Sequence, residues 1–196
     1  MVGREEPVRP KVLAISGSPR RGGNTETLLD HAIAGARSAG AKVEKLVVVE
    51  TNIHPCTSCG VCLETGQCPI EDEMAEIYPK LLTCNALIVA SPVFFHGVPA
   101  QLKALIDRCQ ALWARKEQLG QKLRERQGRA LLISVGGTDL YNTFQGIELT
   151  IRLIFKLLNL KPLPPVLIPG VDEKGEILKH PATLSMAKDG GKKVVS

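Results

Sequence analysis

Aromatic side chains are scarce in this chain, at 4% of 196 residues with a single Trp. Proteins that stack unpaired bases interleave aromatics with basic residues, so nucleic-acid binding is not expected. Long apolar runs are also missing. None approaches the roughly 18 residues that a membrane span needs, and no membrane association is expected. The start, Met1-Val-Gly-Arg-Glu-Glu-Pro7, carries acids and no apolar core, so it does not read as an export signal, and a cytoplasmic protein is expected. Neither internal repeats nor low-complexity segments interrupt the sequence. What is present, 44% hydrophobic and 23% charged residues, is the make-up of a folded globular chain. Its length suits one domain spanning residues 1–196. Acidic residues are thin between Arg108 and Arg129, where seven cations face only Glu117 and Glu125 and contribute much of the net charge of +5. A solvated helix face explains that run best; attraction for an acidic partner or for phosphates is the sharper alternative.

Short apolar runs alternate with amphipathic ones. Lys11–Ser16, Val43–Val49, Ala86–Ala90 and Ala130–Ser134 read as buried strands. Helices are expected over 24–39, 72–82, 99–115 and 143–158, with a last one after Pro181 weakened by Gly190-Gly191. The stretch 116–128 extends a helix or forms an excursion. Pro162–Pro169 is proline-rich, so a strand there belongs at a sheet edge. This order predicts an α/β fold: a doubly wound, five-stranded parallel sheet in the order 2-1-3-4-5, helices on both faces, of the flavodoxin-like kind. Residues 51–70 form a cysteine-rich loop inserted after the second strand. The 143–158 helix is apolar on more than one face, which points to a homodimer or homotetramer.

Ligands of such sheets bind beyond the carboxyl ends of the strands, where loops 16–25, 91–97 and 134–142 lie. The first, Ser16-Gly17-Ser18-Pro19-Arg20-Arg21-Gly22-Gly23-Asn24-Thr25, leads into a helix N-terminus suited to a phosphate. Ser18, Asn24 and Thr25 offer side-chain donors, and Arg20 or Arg21 offers charge. Neither G-x-x-x-x-G-K-[ST] nor G-x-G-x-x-G is present, which argues against a nucleoside triphosphate or a dinucleotide here. Gly17-Ser18-Pro19-Arg20 with Gly23-Asn24-Thr25 resembles the phosphate loop of the NADPH-dependent FMN reductases. Ser91-Pro92-Val93-Phe94-Phe95, Pro99-Ala100-Gln101-Leu102-Lys103 and Asp107-Arg108 resemble that family's second block. The resemblance implies FMN, with Ser16, Ser18, Pro19, Arg20, Asn24 and Thr25 at the phosphate. It puts Pro92, Val93, Phe94, Phe95, His96 and Gly97 along the ring, and Ser134, Val135, Gly136 and Gly137 at its other edge. Phe94 stands where Tyr is commoner in the family, keeping an apolar wall but losing a hydroxyl. His96 either touches the ring or substrate, or is a loop histidine bonded to backbone. No catalytic side chain is needed, because the flavin N5 accepts the hydride.

Four of the six cysteines lie in Cys56-x2-Cys59-x2-Cys62-x5-Cys68-Pro69. The spacing approaches the ferredoxin run C-x2-C-x2-C-x3-C-P, with Cys68 free to close the same cluster. Zinc is a rival, although its sites usually pair two C-x2-C units across a longer spacer, and plain free thiols are a third reading. Together with the FMN loops, the run resembles the iron-sulfur flavoproteins, which implies a [4Fe-4S] cluster on Cys56, Cys59, Cys62 and Cys68. That resemblance also extends to Ile70-Glu71-Asp72-Glu73-Met74. Cys84 and Cys109 read as small core residues. Cys109-x5-Arg115 imitates a phosphatase loop but falls inside a helix.

These features predict an FMN-dependent oxidoreductase that passes electrons between FMN and the cluster, with ferredoxin, NAD(P)H or a quinone as partner. In the resembling family the cluster can be served across a subunit interface. A cluster-free NAD(P)H-dependent FMN or quinone reductase is the nearest alternative. A non-enzymatic redox carrier or thiol sensor is a further one, and a zinc-stapled module the most remote.

Overall fold

The computed structural model describes residues 9–196, and the expectation about Met1–Pro7 lies outside them. The elements are β1 (Lys11–Ser16), α1 (Asn24–Ser38), β2 (Lys42–Val47), α2 (Val61–Thr65), α3 (Met74–Thr83), β3 (Ala86–Pro92), α4 (Ala100–Arg108), α5 (Gln110–Trp113), β4 (Gly128–Val135), α6 (Gln145–Leu157), β5 (Leu160–Pro162), β6 (Val166–Ile168) and α7 (Pro181–Lys193). All strand pairs are parallel, in the order β2-β1-β3-β4-β5, with β6 also on β4. The predicted topology is therefore observed, with one refinement. The fifth position is shared by two short strands, β5 along Gly128–Ala130 and β6 along Ile133–Val135. Pro164-Pro165 divides them, since proline cannot donate to a ladder.

Alternate residues of each strand feed opposite layers. Leu13, Ile15, Leu87, Val89 and Leu132 pack against α3, α4 and α6, whereas Val12, Ala14, Ile88, Leu131 and Ile133 pack against α1 and α7. Such strands are apolar throughout because both faces are covered. Gly190-Gly191 does not weaken α7. A Cβ at Gly191 would lie 1.9 Å from the Ala32 carbonyl oxygen, and one at Gly35 would lie 1.9 Å from that of Lys188. These glycines let α1 and α7 touch backbone to backbone. The predicted 99–115 helix is broken at Cys109 into α4 and α5 and ends in a wide turn over Ala114–Gln118.

The basic run does not form a single solvated face. Arg108 is buried, at 1% exposure. Arg124 folds back on the C-terminus of α3, donating from Nη1 to the Leu81 carbonyl at 2.9 Å and from Nη2 to that of Cys84. Only part of the run, such as Lys122 paired with Glu125 at 2.6 Å, is ordinary surface. Arg108, buried, and Arg124, half-buried, both satisfy helix-end or loop carbonyls from a distance in sequence, which a local charge count does not reveal.

Candidate functional site

Beyond the carboxyl ends of β1, β3 and β4, the three expected loops enclose one cleft. Ser18, Pro19, Arg20, Asn24, Thr25, Pro92, Val93, Phe94, Val135 and Gly137 line it, joined by Gly23, Val171 and Asp172. A larger hollow of about 180 Å³, lined by Lys11, Lys42, Lys80 and Cys84, sits at the opposite, amino-terminal strand edge. Ligands of doubly wound sheets bind at the carboxyl edge, so the cleft is the candidate.

The cleft is built by backbone. Gly17 N–H donates to the Ala90 carbonyl at 2.8 Å, tying the first loop to β3. Gly23 starts α1 without a side-chain cap, which leaves first-turn N–H groups for an anion. Arg20 is braced at the cleft by Nη1 donating to the Asp172 carbonyl at 2.9 Å. Arg21 instead pairs with Glu26 and, at 2.9 Å, with Glu50. Asn24 spends its amide elsewhere. Its Nδ2 donates to the Glu173 carbonyl at 2.8 Å, and its Oδ1 accepts from Gly175 N–H at 3.0 Å and Ile177 N–H at 3.3 Å. It therefore organises the 171–177 loop that closes the cleft. A Cβ at Gly137 would come within 3.2 Å of the Asp172 side chain, so its absence helps keep the cleft open.

The remaining expected residues lie around the cleft rather than on it. Ser16 is fully buried at the end of β1 with its hydroxyl unpartnered. Ser134 donates its hydroxyl to the Ser91 carbonyl at 2.8 Å, an interstrand bond. Gly136 N–H is taken by the Ile168 carbonyl at 2.9 Å. Phe94 and Gly97 exchange backbone hydrogen bonds of 2.9 and 2.8 Å around a turn in which Phe95 (φ 49°) and His96 (φ 61°) are both left-handed. Phe95 is wholly exposed, and His96 Nδ1 lies 3.1 Å from the Asn142 carbonyl, the backbone-bonded role. Val171 and Asp172 were missed by sequence reasoning. The available signal was their place after the fifth strand position, where a fourth carboxyl-end loop must lie.

The cysteine loop forms a second cavity, of about 130 Å³, which Cys56, Cys59, Cys62 and Cys68 all line together with Arg108. Left-handed backbone at Ser58, Gly60 and Gly66 curls the loop, and Ser58 N–H points at Cys56 Sγ at 3.4 Å. Burial raises the Cys62 pKa, and the neighbouring Cys68, Cys56 and Cys59 raise it further, a sign of crowded thiols. Among the described residues, no group of three or more His, Cys, Asp or Glu converges as a metal-binding set, so the sulfurs share a cavity without being drawn onto one point. Cys84 and Cys109 are buried away from it, as expected, and burial pushes Cys109 up to about 12.

Arg108 and Asp72 anchor this loop. Their side chains, 1% and 0% exposed, form a two-pronged ion pair. Arg108 Nη1 also donates to the His54 carbonyl at 2.9 Å, and Nη2 to the Ile70 carbonyl at 3.2 Å. Asp72 accepts from the N–H groups of His54 at 2.9 Å and Met74 at 3.0 Å. One buried pair thus clasps both ends of the segment that carries the four cysteines. No residue lines both cavities.

A doubly wound parallel sheet with an uncapped helix start and an apolar wall at its switch point defines a flavodoxin-like nucleotide-binding domain. Residues 10–164 match the NADPH-dependent FMN reductase family, to which the chain belongs. An iron-sulfur flavoprotein of Methanocaldococcus jannaschii is 39% identical over 123 residues, 63% of this chain and 61% of that protein. The match thus spans less than two thirds of that relative. An iron-sulfur flavoprotein of Archaeoglobus fulgidus is 36% identical over 155 residues, 79% of this chain and 74% of the relative. Among solved structures, a flavone reductase superposes with a TM-score of 0.70 at 18% identity, over 94% of this chain and 62% of that one, a likeness of fold.

Proposed function

We propose that this chain is a cytoplasmic oxidoreductase that holds FMN in the cleft and a [4Fe-4S] cluster on Cys56, Cys59, Cys62 and Cys68, with electrons passing between the two centres. The observation that carries the reading is that all four thiols line one cavity, while the loops that resemble the FMN reductases line a second at the carboxyl ends of the strands. Bound FMN supplies hydride acceptance and one-electron release. The chain's residues supply the rest. The first turn of α1, Ser18, Thr25 and Arg20 hold the phosphate, because N–H dipoles and a guanidinium face an anion there. Pro92, Val93 and Phe94 offer an apolar wall that excludes water from the ring. Gly137 leaves room at the opposite edge. The crowded thiols suit iron, since thiolates that repel one another are relieved by a shared cation. NAD(P)H, a quinone or ferredoxin is the exchange partner. That no residue lines both cavities favours a homodimer or homotetramer that brings one protomer's cysteine loop to its partner's cleft.

A cluster-free NAD(P)H-dependent FMN or quinone reductase is favoured by a different observation, that the sulfurs do not converge on one point. Absorption spectra with iron and sulfide assays on protein purified without oxygen separate the two. The proposal expects flavin bands, a broad shoulder near roughly 400 nm and about four irons per chain. Flavin without iron after anaerobic reconstitution leaves the reductase; protein that takes up no added FMN overturns both.

A further inference from the structure

Asp172 makes two hydrogen bonds among the described residues, and both belong to its backbone. Its N–H donates to Glu176 Oε2 at 2.9 Å, and its carbonyl accepts from Arg20 Nη1 at 2.9 Å. The loop around it is fixed by other side chains: Glu176 Oε2 also accepts from Glu173 N–H at 3.1 Å, and Asn24 makes its three bonds to the same loop. The Asp172 carboxylate thus has no part in holding the loop, yet it stands in the wall of the cleft. Its place there is bounded on two sides. The carbonyl of the same residue is tied to Arg20 of the phosphate loop. The carboxylate itself lies against Gly137, where an added Cβ would come within 3.2 Å of Cγ and 3.4 Å of Oδ1. An ionised carboxylate can only accept hydrogen bonds. A phosphate dianion has no proton to give it and repels it, and the wall of Pro92, Val93 and Phe94 is apolar. Between its phosphate and its ring a flavin mononucleotide carries the ribityl chain, whose hydroxyls are donors. From this we infer that Asp172 is a cofactor-selecting residue, its carboxylate accepting a hydrogen bond from a ribityl hydroxyl. The inference rests on the FMN reading above. A hydroxyl donating to a carboxylate makes a short bond about twice as strong as a neutral one. Dinucleotide sites read a ribose hydroxyl with an acid by the same chemistry. Because its backbone is already clasped, the carboxylate is ordered before the ligand arrives, which lowers the cost of binding.

The test is a flavin titration of the full chain freed of bound flavin, followed by quenching of flavin fluorescence. The probes are FMN, FMN analogues that each lack one ribityl hydroxyl, and FMN methylated at ring N3. Wild-type protein is expected to bind one of the deoxy analogues about tenfold more weakly than FMN, the gap opened by losing a hydrogen bond to a charged group. Asp172→Ala should bind that same analogue and FMN alike, within about twofold, while its response to the other analogues stays as in wild type. Removing the carboxylate also relieves its repulsion of the phosphate, so the readout is the coupling between residue and hydroxyl rather than the affinity of the variant alone. An Asp172→Ala protein that discriminates every analogue as wild type does overturns the inference. So does coupling to the N3-methyl flavin in place of a deoxy analogue, which would put the carboxylate on the ring. Wild-type protein that binds all the deoxy analogues as tightly as FMN overturns it without any variant. Wild-type protein that takes up no flavin overturns the FMN reading and this inference together, an outcome distinct from flavin bound without the coupling.

Discussion

Asp72→Asn tests the clasp on the cysteine loop. The change keeps the volume and one carbonyl-type acceptor but removes the negative charge, leaving Arg108 as a buried cation at 1% exposure. Breaking a buried pair from one side costs about 3–5 kcal/mol, because the surviving charge is neither solvated nor paired. Against a total stability of about 5–15 kcal/mol, that is a large fraction. With a urea m-value of about 2 kcal/mol per molar, the unfolding midpoint should fall by about 1.5–2.5 M. The assay is equilibrium urea unfolding at neutral pH, by fluorescence of Trp113 and by far-ultraviolet circular dichroism. A loss below about 1 kcal/mol, the range of exposed pairs, would refute the assignment of Arg108–Asp72 as the loop's anchor. Acid supplies a second leg. Burial opposes the charged form of Asp72, but hydrogen bonds from Arg108 and from the N–H groups of His54 and Met74 outweigh it and hold the carboxyl below its usual range. The pair's contribution is thus complete above the unfolded carboxylate value of about 3.9 and is lost as pH falls through the folded one. Wild-type stability should therefore drop below about pH 4 more steeply than that of Asp72→Asn.

Three other outcomes are expected. In iron-free protein at neutral pH, four of the six thiols should react with an aromatic disulfide reagent, because Cys84 and Cys109 are buried and burial raises both; six fast equivalents would contradict their packing. On the cluster proposal, Cys68→Ser should lower iron content while leaving FMN affinity within about twofold, under 0.5 kcal/mol, since no residue lines both cavities; a joint loss would mean that the two are coupled. Gly191→Ala should cost about 1–3 kcal/mol or more in thermal or urea unfolding, because its methyl group meets the Ala32 carbonyl; an unchanged midpoint would show that α1 and α7 separate freely.

The strand order and both helical layers were legible because apolar periodicity and right-handed crossovers leave few alternatives. Loops 16–25 and 91–97 were legible from their Gly, Ser and Pro chemistry at strand ends. Arg108 was not. In sequence it sits in a run of cations, and its partner Asp72 is 36 residues away in an acidic run, so only the folded chain pairs them. Asn24 was placed at the phosphate because an Asn opening a helix is a ready donor, yet tertiary contacts with Gly175 and Ile177 claim it. Gly190-Gly191 was read by helix propensity, and close packing against α1 overrides that preference.

The division of the fifth strand position has a bearing on how copies of this chain can and cannot associate. An uninterrupted parallel edge is a template on which another chain can lay a strand. Here Pro164-Pro165 cuts that edge into two three-residue pieces, each too short to hold a foreign strand in register. At the opposite margin, β2 carries Lys42, Glu44 and Lys45 among its six residues. With both margins blunted, growth of the sheet from one molecule into the next is disfavoured. Assembly is left to helix and loop surfaces, such as Leu149 and Leu153 on α6 or Phe95 and Tyr141 beside the cleft, all of them exposed. The proposed electron-transfer role would benefit from that bias, because surfaces of this kind can close a defined oligomer, whereas an open edge leads to fibres.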